Sequence, residues 1–300
     1  MASETKGGNV SVLSVDALSP AQIEDKCEKI GVGKTHMPFL ASFMLSIVAG
    51  GAIGLGGMFF LVVLADNTIG FAAQRLLGGV VFCIGLLLVV VAGAELFTGN
   101  TLIVISWINR QITTRELLHN WVVVWIGNLV GSLVIAYCVF MSDFGAMNQG
   151  KVGAAILAVA IGKIKLSWMT IFFKAIMCNL MVCLAVWMAF GSRSAGDKVA
   201  VILLPIAGFV AAGFEHCVAN MFFLPIAWIT ANFGTVPAGL DVSVITLAGI
   251  MHNLIPATLG NIVGGGLFVG VVYWAIYRKS LGGLTPLPQN AHQGGMVAKG

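Results

Sequence analysis

Long apolar runs separated by short polar stretches dominate the chain. The runs are residues 37–65, 71–109, 116–142, 154–190, 199–231 and 243–277. Each reaches the length of about 20 residues that an apolar helix needs to cross a bilayer core, whereas strands of a membrane barrel would be shorter and would alternate polar with apolar residues. The pattern therefore predicts an all-α membrane protein with six transmembrane helices.

A short amphipathic helix is predicted before the first apolar run. Ser19 can cap its start and Gly31 can end it. Sequence alone leaves open whether this helix lies along the membrane surface, packs under the bundle, or acts as a pore lid or partner-docking element. We interpret residues 1–35 as an N-terminal segment, residues 36–279 as the transmembrane domain and residues 280–300 as a flexible C-terminal tail.

Two of the apolar runs are expected to be interrupted. As one helix, run 71–109 would measure about 60 Å, against a hydrocarbon core of about 30 Å. We predict breaks near residues 96–100 and 213–219, where Glu215 and His216 interrupt an apolar stretch. Non-helical backbone at membrane depth is tolerated where it is buried in protein or lines a cavity, so the breaks are expected to mark a transport path.

Polar motifs repeat in the two halves of the chain. Glu95 precedes Asn100 at the spacing by which Glu215 precedes Asn220. A second pair of motifs also matches in spacing, namely His119-Asn120 with Gly127-Asn128, and His252-Asn253 with Gly260-Asn261. Each half would then hold three crossings, and an odd number places the copies in opposite orientations. The sequence therefore predicts a 3+3 inverted repeat.

Composition narrows the function classes. Hydrophobic residues make up 58% of the chain, charged residues make up 9%, and the mean hydropathy is +0.97, whereas globular domains contain about 25% charged residues. The net charge of +4 comes from basic residues that are spread thinly along the chain, which argues against nucleic-acid binding. The six cysteines form no CxxC pair, and no HExxH or GxSxG motif occurs. We therefore expect neither an enzyme nor a bound metal or cofactor.

Lysine and arginine residues concentrate at one set of segment ends. This set comprises Lys26, Lys29, Lys34, Arg110, Arg115, Arg193, Lys198, Arg278 and Lys279. Because basic loops stay on the cytoplasmic side of a membrane, both termini are predicted to be cytoplasmic.

Four stretches together resemble the formate/nitrite transporter family, and within it most closely the formate channels. They are Glu95 to Asn100, Phe173 to Leu180, Gly213 to Asn220, and Gly260-Asn261. The resemblance covers about residues 20–279. It implies an aquaporin-like fold with interrupted second and fifth helices, and a homo-pentamer in the bacterial inner membrane with one pore in each protomer. It also implies that the N-terminal helix contacts a cytoplasmic formate-producing enzyme.

The resemblance also implies roles for individual residues. His216 matches the central pore histidine and Thr98 matches the threonine of the loop that interrupts the second helix. The other implied pore positions are Lys163, Asn179, Glu215 and Asn220, the implied loop positions are Phe97, Gly99 and Asn100, and the implied constrictions are Phe82 with Phe209 and Leu86 with Leu96. From the residues themselves we expect Gly99 to adopt a conformation that a larger residue resists, and the two glutamates to bond backbone N–H groups at the broken helix ends.

Several functions stay open at this point. The first is a bidirectional formate channel in which His216, titrating near physiological pH, could pass a proton to the anion. The second is a nitrite or hydrosulfide channel of the same family. The third is an aquaporin-like pore for neutral solutes, although Asn253 to Ala257 does not supply the paired Asn-Pro-Ala turns expected of such pores. A membrane receptor or scaffold has no positive support in the sequence.

Overall fold

A computed structural model describes residues 17–279 of the chain, and every regular element within them is helical. The helices are α1 Pro20–Thr35, α2 Phe39–Leu64, α3 Phe71–Ala92, α4 Phe97–Ile108, α5 Thr114–Met141, α6 Lys151–Ile164, α7 Trp168–Gly191, α8 Ala195–Ala211, α9 Cys217–Phe233 and α10 Leu247–Tyr277. The predicted all-α class is thus confirmed.

Within residues 17–279, five helices are long and apolar enough to cross a membrane, and these are α2, α3, α5, α7 and α10. Their outer faces leave large apolar side chains exposed, such as Phe71 and Met169, as expected where lipid or another subunit covers the surface. Helices α4 and α9 are apolar but shorter. The chain is therefore a multi-pass membrane protein, while the count of six crossings and the inverted repeat stay predictions.

Glycines allow the long helices of each half to pack closely. A Cβ atom at Gly50 or Gly131 would collide with backbone where α2 crosses α5, and one at Gly260 or Gly264 would collide with backbone where α7 crosses α10. Small residues have this role in membrane proteins because close backbone approach increases van der Waals contact between helices. The close crossings hold the helices that surround the two breaks.

Both predicted interruptions are present. Helix α3 ends at Ala92 and α4 begins at Phe97, while α8 ends at Ala211 and α9 begins at Cys217. We call residues 93–96 the Glu95 break and residues 212–216 the Glu215 break.

A left-handed glycine terminates the helix that enters each break. The φ angle is +73° at Gly93 and +71° at Gly213, a conformation in which a Cβ atom would be strained. The prediction of the first break was wrong in detail, because Thr98, Gly99 and Asn100 lie in the helical turns of α4. The chain leaves the helix at Gly93, before these polar residues.

Helix α1 extends beyond its predicted end. It continues through Gly31 to Thr35, because Gly31 packs against Ser106 of α4, where a side chain would collide with the Ser106 hydroxyl. At its start, Ser19 forms the predicted cap by accepting a hydrogen bond from the Gln22 backbone N–H. The Ser106 hydroxyl donates to the Glu28 carbonyl at 2.8 Å, so α1 is bound to the transmembrane bundle. The domain limits at residues 35 and 280 stay predictions, and the predicted C-terminal tail lies outside the described residues.

The fourth apolar run divides into two helices. Residues 154–190 were predicted as one segment, but α6 ends at Ile164 and α7 starts after Ser167. Ser167 caps α7 by accepting a hydrogen bond from the Thr170 backbone N–H at 3.1 Å. Such a cap satisfies a backbone donor that has no partner within the helix. Lys163 therefore lies near the end of the separate helix α6.

Candidate functional site

A cavity of about 240 Å³ borders the Glu215 break, and we call it the His216 cavity. Its lining includes Phe60, Phe82, Lys163, Phe209, Glu215 and His216. The rings of Phe82 and Phe209 meet edge to face with their centroids 5.9 Å apart, and the Phe209 ring stacks on His216 at 5.9 Å. This side of the molecule thus combines an aromatic pair, a cation and the histidine.

A second cavity of about 200 Å³ borders the Glu95 break, and we call it the Leu96 cavity. Its lining includes Lys34, Leu86, Glu95, Leu96, Gly99 and Asn100. Leu86 follows Phe82 on α3 by about one helical turn. The two residue pairs implied as constrictions therefore line different cavities, and α3 contributes one residue to each pair.

His216 and Thr98 lie where the two cavities approach each other. His216 Nε2 is 3.0 Å from Thr98 Oγ1, and both residues are buried. His216 lines the His216 cavity. Thr98 lines neither cavity, but Leu96 and Gly99, which lie close to it in the chain, line the Leu96 cavity. The structure brings together the two residues to which the resemblance gives the central role.

The hydrogen bonds of His216 define its tautomer. His216 is the N-cap residue of α9, and its Nδ1 accepts the backbone N–H of Ala219 at 3.1 Å. An Nδ1 atom that accepts a hydrogen bond carries no proton, so the proton of the neutral ring lies on Nε2. Nε2–H therefore donates to the Thr98 hydroxyl, whose own proton can be donated elsewhere.

Asn179 holds the backbone at Thr98 and lines neither cavity. Its side chain is fully buried, and its amide donates to the Thr98 carbonyl at 3.2 Å, to Thr101 Oγ1 at 3.0 Å and to the Asn261 carbonyl at 2.6 Å. The Thr101 hydroxyl also donates to the Thr98 carbonyl at 2.7 Å. Asn179 is thus a positioning residue for Thr98.

The Glu215 break is held by charged and amide side chains. Lys163 Nζ donates to Glu215 Oε1 at 2.9 Å. The Asn220 amide donates to Glu215 Oε2 at 2.7 Å and to Asn253 Oδ1 at 2.6 Å, and the Asn253 amide donates to the Lys163 carbonyl at 3.3 Å. Asn220 is fully buried and, unlike Lys163 and Glu215, does not line the His216 cavity.

The same arrangement holds the Glu95 break. Lys34 Nζ donates to Glu95 Oε1 at 2.6 Å and to Asn100 Oδ1 at 3.0 Å. The Asn100 amide donates to Glu95 Oε2 at 2.8 Å and to Asn120 Oδ1 at 3.0 Å, and the Asn120 amide donates to the Lys34 carbonyl at 3.3 Å. Our expectation that the glutamates bond backbone N–H groups was wrong, because their carboxylates bind side-chain cations and amides instead.

Two further asparagines bond the backbone at the broken ends. Asn128 Oδ1 accepts the Phe97 N–H at 2.9 Å, and Asn261 Oδ1 accepts the Cys217 N–H at 2.9 Å. Each amide group also donates to the carbonyl of the glutamate of its own break, at 2.9 Å for Glu95 and 3.0 Å for Glu215. The second repeated motif therefore supplies the backbone partners that we had expected the glutamates to provide.

Sequence reasoning missed Lys34 as a site residue. Lys34 lies 61 residues before Glu95, whereas Lys163 lies 52 residues before Glu215, so a search for motifs repeated at equal spacing does not pair the two lysines. The signal that could have found Lys34 is chemical, since a buried carboxylate at a helix break needs a cation.

Two loop residues differ from expectation. Phe97 lines neither cavity, and its ring packs edge-on against Trp121 at 6.4 Å. The expected conformational strain at Gly99 was wrong, because its φ is not positive and a Cβ atom there would meet only Val186 Cγ2, at 3.8 Å. Gly99 lines the Leu96 cavity, and Gly93 is the residue of this break that needs a glycine conformation.

Comparison with known sequences identifies the family. The sequence model described as Formate/nitrite transporter matches residues 21–275. The chain is 41% identical over 269 residues to "Formate channel FocA" of Haemophilus influenzae, covering 86% of this chain and 94% of that protein. It is 39% identical over 274 residues to "Formate channel FocA" of Escherichia coli (strain K12), covering 88% of this chain and 96% of that protein.

Solved structures give the same result. A structure described as "Pentameric formate channel with formate bound" superposes with a TM-score of 0.74 at 41% sequence identity, over 80% of this chain and 97% of that chain. A structure described as "FNT family ion channel" superposes with a TM-score of 0.74 at 31% identity, over 85% of this chain and 98% of that chain. On both sequence and structure, this chain belongs to the formate/nitrite transporter family.

Proposed function

We propose that this chain is a formate channel of the bacterial inner membrane, in which the anion passes from one cavity to the other beside His216 and Thr98. The observation that carries the proposal is the Nε2–Oγ1 pair at 3.0 Å between two cavities, each with an apolar residue pair and a lysine. The formate channels to which this chain is 39–41% identical support the choice of substrate.

Each part of the path addresses one difficulty of moving a small anion through an apolar barrier. Lys163 Nζ lies at the wall of the His216 cavity, where its charge raises the local concentration of anions. The pairs Phe82–Phe209 and Leu86–Leu96 narrow the two cavities with apolar surface, which opposes the passage of hydrated ions. A formate ion that sheds water there needs hydrogen-bond donors between the pairs, and His216 with Thr98 supplies them.

The tautomer of His216 determines which donor it offers. Neutral imidazole presents Nε2–H, and the Thr98 hydroxyl can turn its proton toward the anion when it accepts from Nε2. Passing a whole proton requires an imidazolium with a second proton on Nδ1, and that proton would displace the Ala219 N–H from Nδ1. Loss of a cap of this kind costs about 1 kcal/mol. The geometry thus favours hydrogen-bond donation, and proton coupling stays a prediction that experiment can test.

The alternatives have less support. Nitrite and hydrosulfide could accept the same hydrogen bonds, but the most similar relatives reported above are named formate channels. A pore for neutral solutes does not account for the excess of cations over carboxylates in the wall of the His216 cavity.

Assembly and orientation are part of the proposal. The pentameric state of the similar formate-bound channel supports a homo-pentamer here. The basic residues at one set of helix ends support cytoplasmic termini. Binding of a formate-producing enzyme to α1 stays a prediction of the family resemblance.

Formate uptake by proteoliposomes, measured against external pH, tests the proposal. The parent should move formate at least tenfold faster than protein-free liposomes. His216→Phe should lower this flux by about tenfold to a hundredfold, because losing a hydrogen bond to a charged group removes about 1.5–3 kcal/mol of stabilisation. His119→Asn, an exposed histidine outside both cavities, should behave like the parent. A parent that moves no formate would overturn the proposal.

His216→Asn separates hydrogen bonding from proton transfer, because an amide can donate a hydrogen bond but cannot carry the proton. Downhill formate flux should persist in this variant. If the channel couples to protons through His216, uptake driven by a pH gradient should disappear in His216→Asn alone. Superimposable pH profiles for the parent and His216→Asn would exclude proton transfer by this histidine and leave the channel assignment intact. Oligomer yield in detergent serves as the folding check.

A further inference from the structure

Two cations besides Lys163 border the His216 cavity, Arg75 of α3 and Lys174 of α7. Both reach the carbonyl end of α8. Arg75 Nη2 donates to the Val210 carbonyl at 2.8 Å and its Nε donates to the Ala211 carbonyl at 3.1 Å, while Lys174 Nζ donates to the Gly213 carbonyl at 3.0 Å. The two side chains therefore converge on one point of the cavity rim.

The convergence is close. A Cβ atom placed on Gly213 would lie 3.0 Å from Arg75 Nη2 and 3.9 Å from Lys174 Nζ. The two nitrogens therefore lie within about 7 Å of each other, and like charges this close repel each other. The helix end offers about half a negative charge in compensation, which leaves most of the two positive charges without a counter-charge. An anion between or beside them would relieve the repulsion.

The surrounding charges do not cancel these cations. Among the residues that the structure describes, Glu215 is the one carboxylate that lines this cavity, and its oxygens already accept from Lys163 and Asn220. The His216 cavity thus has three cations and one carboxylate in its wall, whereas the Leu96 cavity has one of each. The two mouths of the path differ in charge.

The extra lysine is not needed to build a break. The Glu215 N–H donates to the Lys174 carbonyl at 3.4 Å, and the Glu95 N–H donates to the Leu45 carbonyl at 3.3 Å. Leu45 therefore occupies the place of Lys174 at the Glu95 break, and that break forms with an apolar side chain there. A break of this kind therefore does not require a charged side chain at this position, although the Lys174 ammonium does bond the Gly213 carbonyl.

Free donors remain on both cations. Lys174 uses one of its three ammonium N–H groups on Gly213, and Arg75 uses two of its five N–H groups on the α8 carbonyls. Both side chains are only partly buried, so a solute in the cavity can reach them. A small carboxylate can accept hydrogen bonds from both at once.

We propose that Arg75 and Lys174 form an anion-binding site at the mouth of the His216 cavity, which holds a small monovalent carboxylate before it meets His216 and Thr98. The inference rests on the proposed function, since it assumes that an anion takes this path. The site makes the path asymmetric, with the higher anion affinity on the side of the His216 cavity. It also makes uptake depend on ionic strength, because salt shortens the reach of the two charges.

The test uses Lys174→Leu, which copies the residue found at the matched position of the Glu95 break, together with Arg75→Met and the double variant. The initial rate of formate uptake into proteoliposomes is measured as a function of formate concentration. At an ionic strength near 0.01 M, where the Debye length is about 30 Å, each single variant should raise the half-saturating concentration about twofold to threefold. At 1 M salt, where this length is about 3 Å, the variants should match the parent.

Lys165→Leu is the matched control. It removes the same charge near Lys163, but Lys165 is exposed and does not line the cavity. Lys165→Leu should therefore shift the half-saturating formate concentration by less than half as much as Lys174→Leu does. An unchanged value in Lys174→Leu at low salt, or an equal shift in Lys165→Leu, would overturn the proposed site. Formate flux in the parent above protein-free liposomes would preserve the proposed function in either case. If Arg75→Met does not assemble, Lys174→Leu still decides the question.

Discussion

The two helix breaks share a hydrogen-bonding framework and differ in chemistry. In each, a left-handed glycine ends a helix, and a glutamate two residues later binds a lysine through Oε1 and an asparagine amide through Oε2. The members are Gly93, Lys34, Glu95, Asn100 and Asn120 at one break, and Gly213, Lys163, Glu215, Asn220 and Asn253 at the other. Two stretches of different sequence thus solve the same problem of opening a helix inside a membrane.

The residue after each glutamate marks the main difference. Leu96 starts α4 without a side-chain cap, whereas His216 caps α9 through Nδ1 and keeps Nε2 for Thr98. The Glu95 break forms without a cap at this position, so the histidine is not required to hold the backbone. The shared hydrogen bonds thus form the break, while the residue that follows the glutamate, Leu96 or His216, determines whether the break carries a hydrogen-bond donor for Thr98.

The two lysines also differ. Lys34 donates to both Glu95 and Asn100, whereas Lys163 donates to Glu215 alone. Asn220 Oδ1 is consequently a buried acceptor without a hydrogen-bond partner in the described part of the chain. Lys163 therefore has more N–H groups available to the His216 cavity than Lys34 has for the Leu96 cavity, and Asn220 Oδ1 lacks the donor that Asn100 Oδ1 has.

The largest expected effect concerns the asparagines that bond the broken ends. Asn128→Ala and Asn261→Ala each remove one accepted and two donated hydrogen bonds. Each should destabilise the assembled protein by about 3 kcal/mol, because each of the stranded backbone groups costs about 1–3 kcal/mol. The measurement is the thermal midpoint of oligomer loss in detergent.

Asn232→Ala is the control for this pair. The Asn232 amide donates one hydrogen bond, to the Trp228 carbonyl, and the residue is exposed. Its midpoint should stay within a degree or two of the parent. A much lower thermal midpoint for Asn128→Ala together with a parent-like midpoint for Asn261→Ala would contradict the proposed equivalence of the Glu95 break and the Glu215 break.

An effect of equal or smaller size is expected at the lysines. Lys34→Met leaves Glu95 without its cation and Asn100 Oδ1 without its donor, whereas Lys163→Met leaves only Glu215 without its cation. Removing one partner of a largely buried pair should lower the stability of the assembled protein by about 2 kcal/mol in each variant. The additional lost hydrogen bond should lower the stability of Lys34→Met by about 1 kcal/mol more. Oligomer loss on heating gives both values. Equal midpoints for the two variants would contradict the described difference in bonding.

The smallest effect concerns glycine conformation. Gly93→Ala should destabilise by about 1 kcal/mol through left-handed strain alone, since a Cβ atom there meets no neighbour within 4 Å. Gly213→Ala adds a tight contact with Arg75 to the same strain and should cost somewhat more. Gly99→Ala lies in a helical turn with space for a methyl group and should be neutral or slightly stabilising. Thermal midpoints that rank Gly99→Ala below Gly93→Ala would refute this assignment of the break.

The glycines also show how far sequence reasoning could locate the breaks. The length of run 71–109 required an interruption, because a bilayer core is much shorter than such a helix. The choice of Thr98 and its polar neighbours as the interruption was wrong by several residues, because a polar side chain can lie within a helical turn while a left-handed glycine cannot continue the helix. Periodicity does not distinguish Gly93 from the glycines that serve close packing.

The sequence by itself determined the membrane class and the two interrupted segments. It also indicated His216 and Glu215, because burying ionisable groups in apolar runs is costly enough to indicate function, whereas the role of Thr98 was implied by the family resemblance. Only the tertiary structure decided what these groups bond. Lys34 reaches Glu95 across 61 residues, and Lys174 meets the end of α8 across 39 residues. Contacts of this kind depend on how the helices cross, and no local pattern in the chain encodes the crossing.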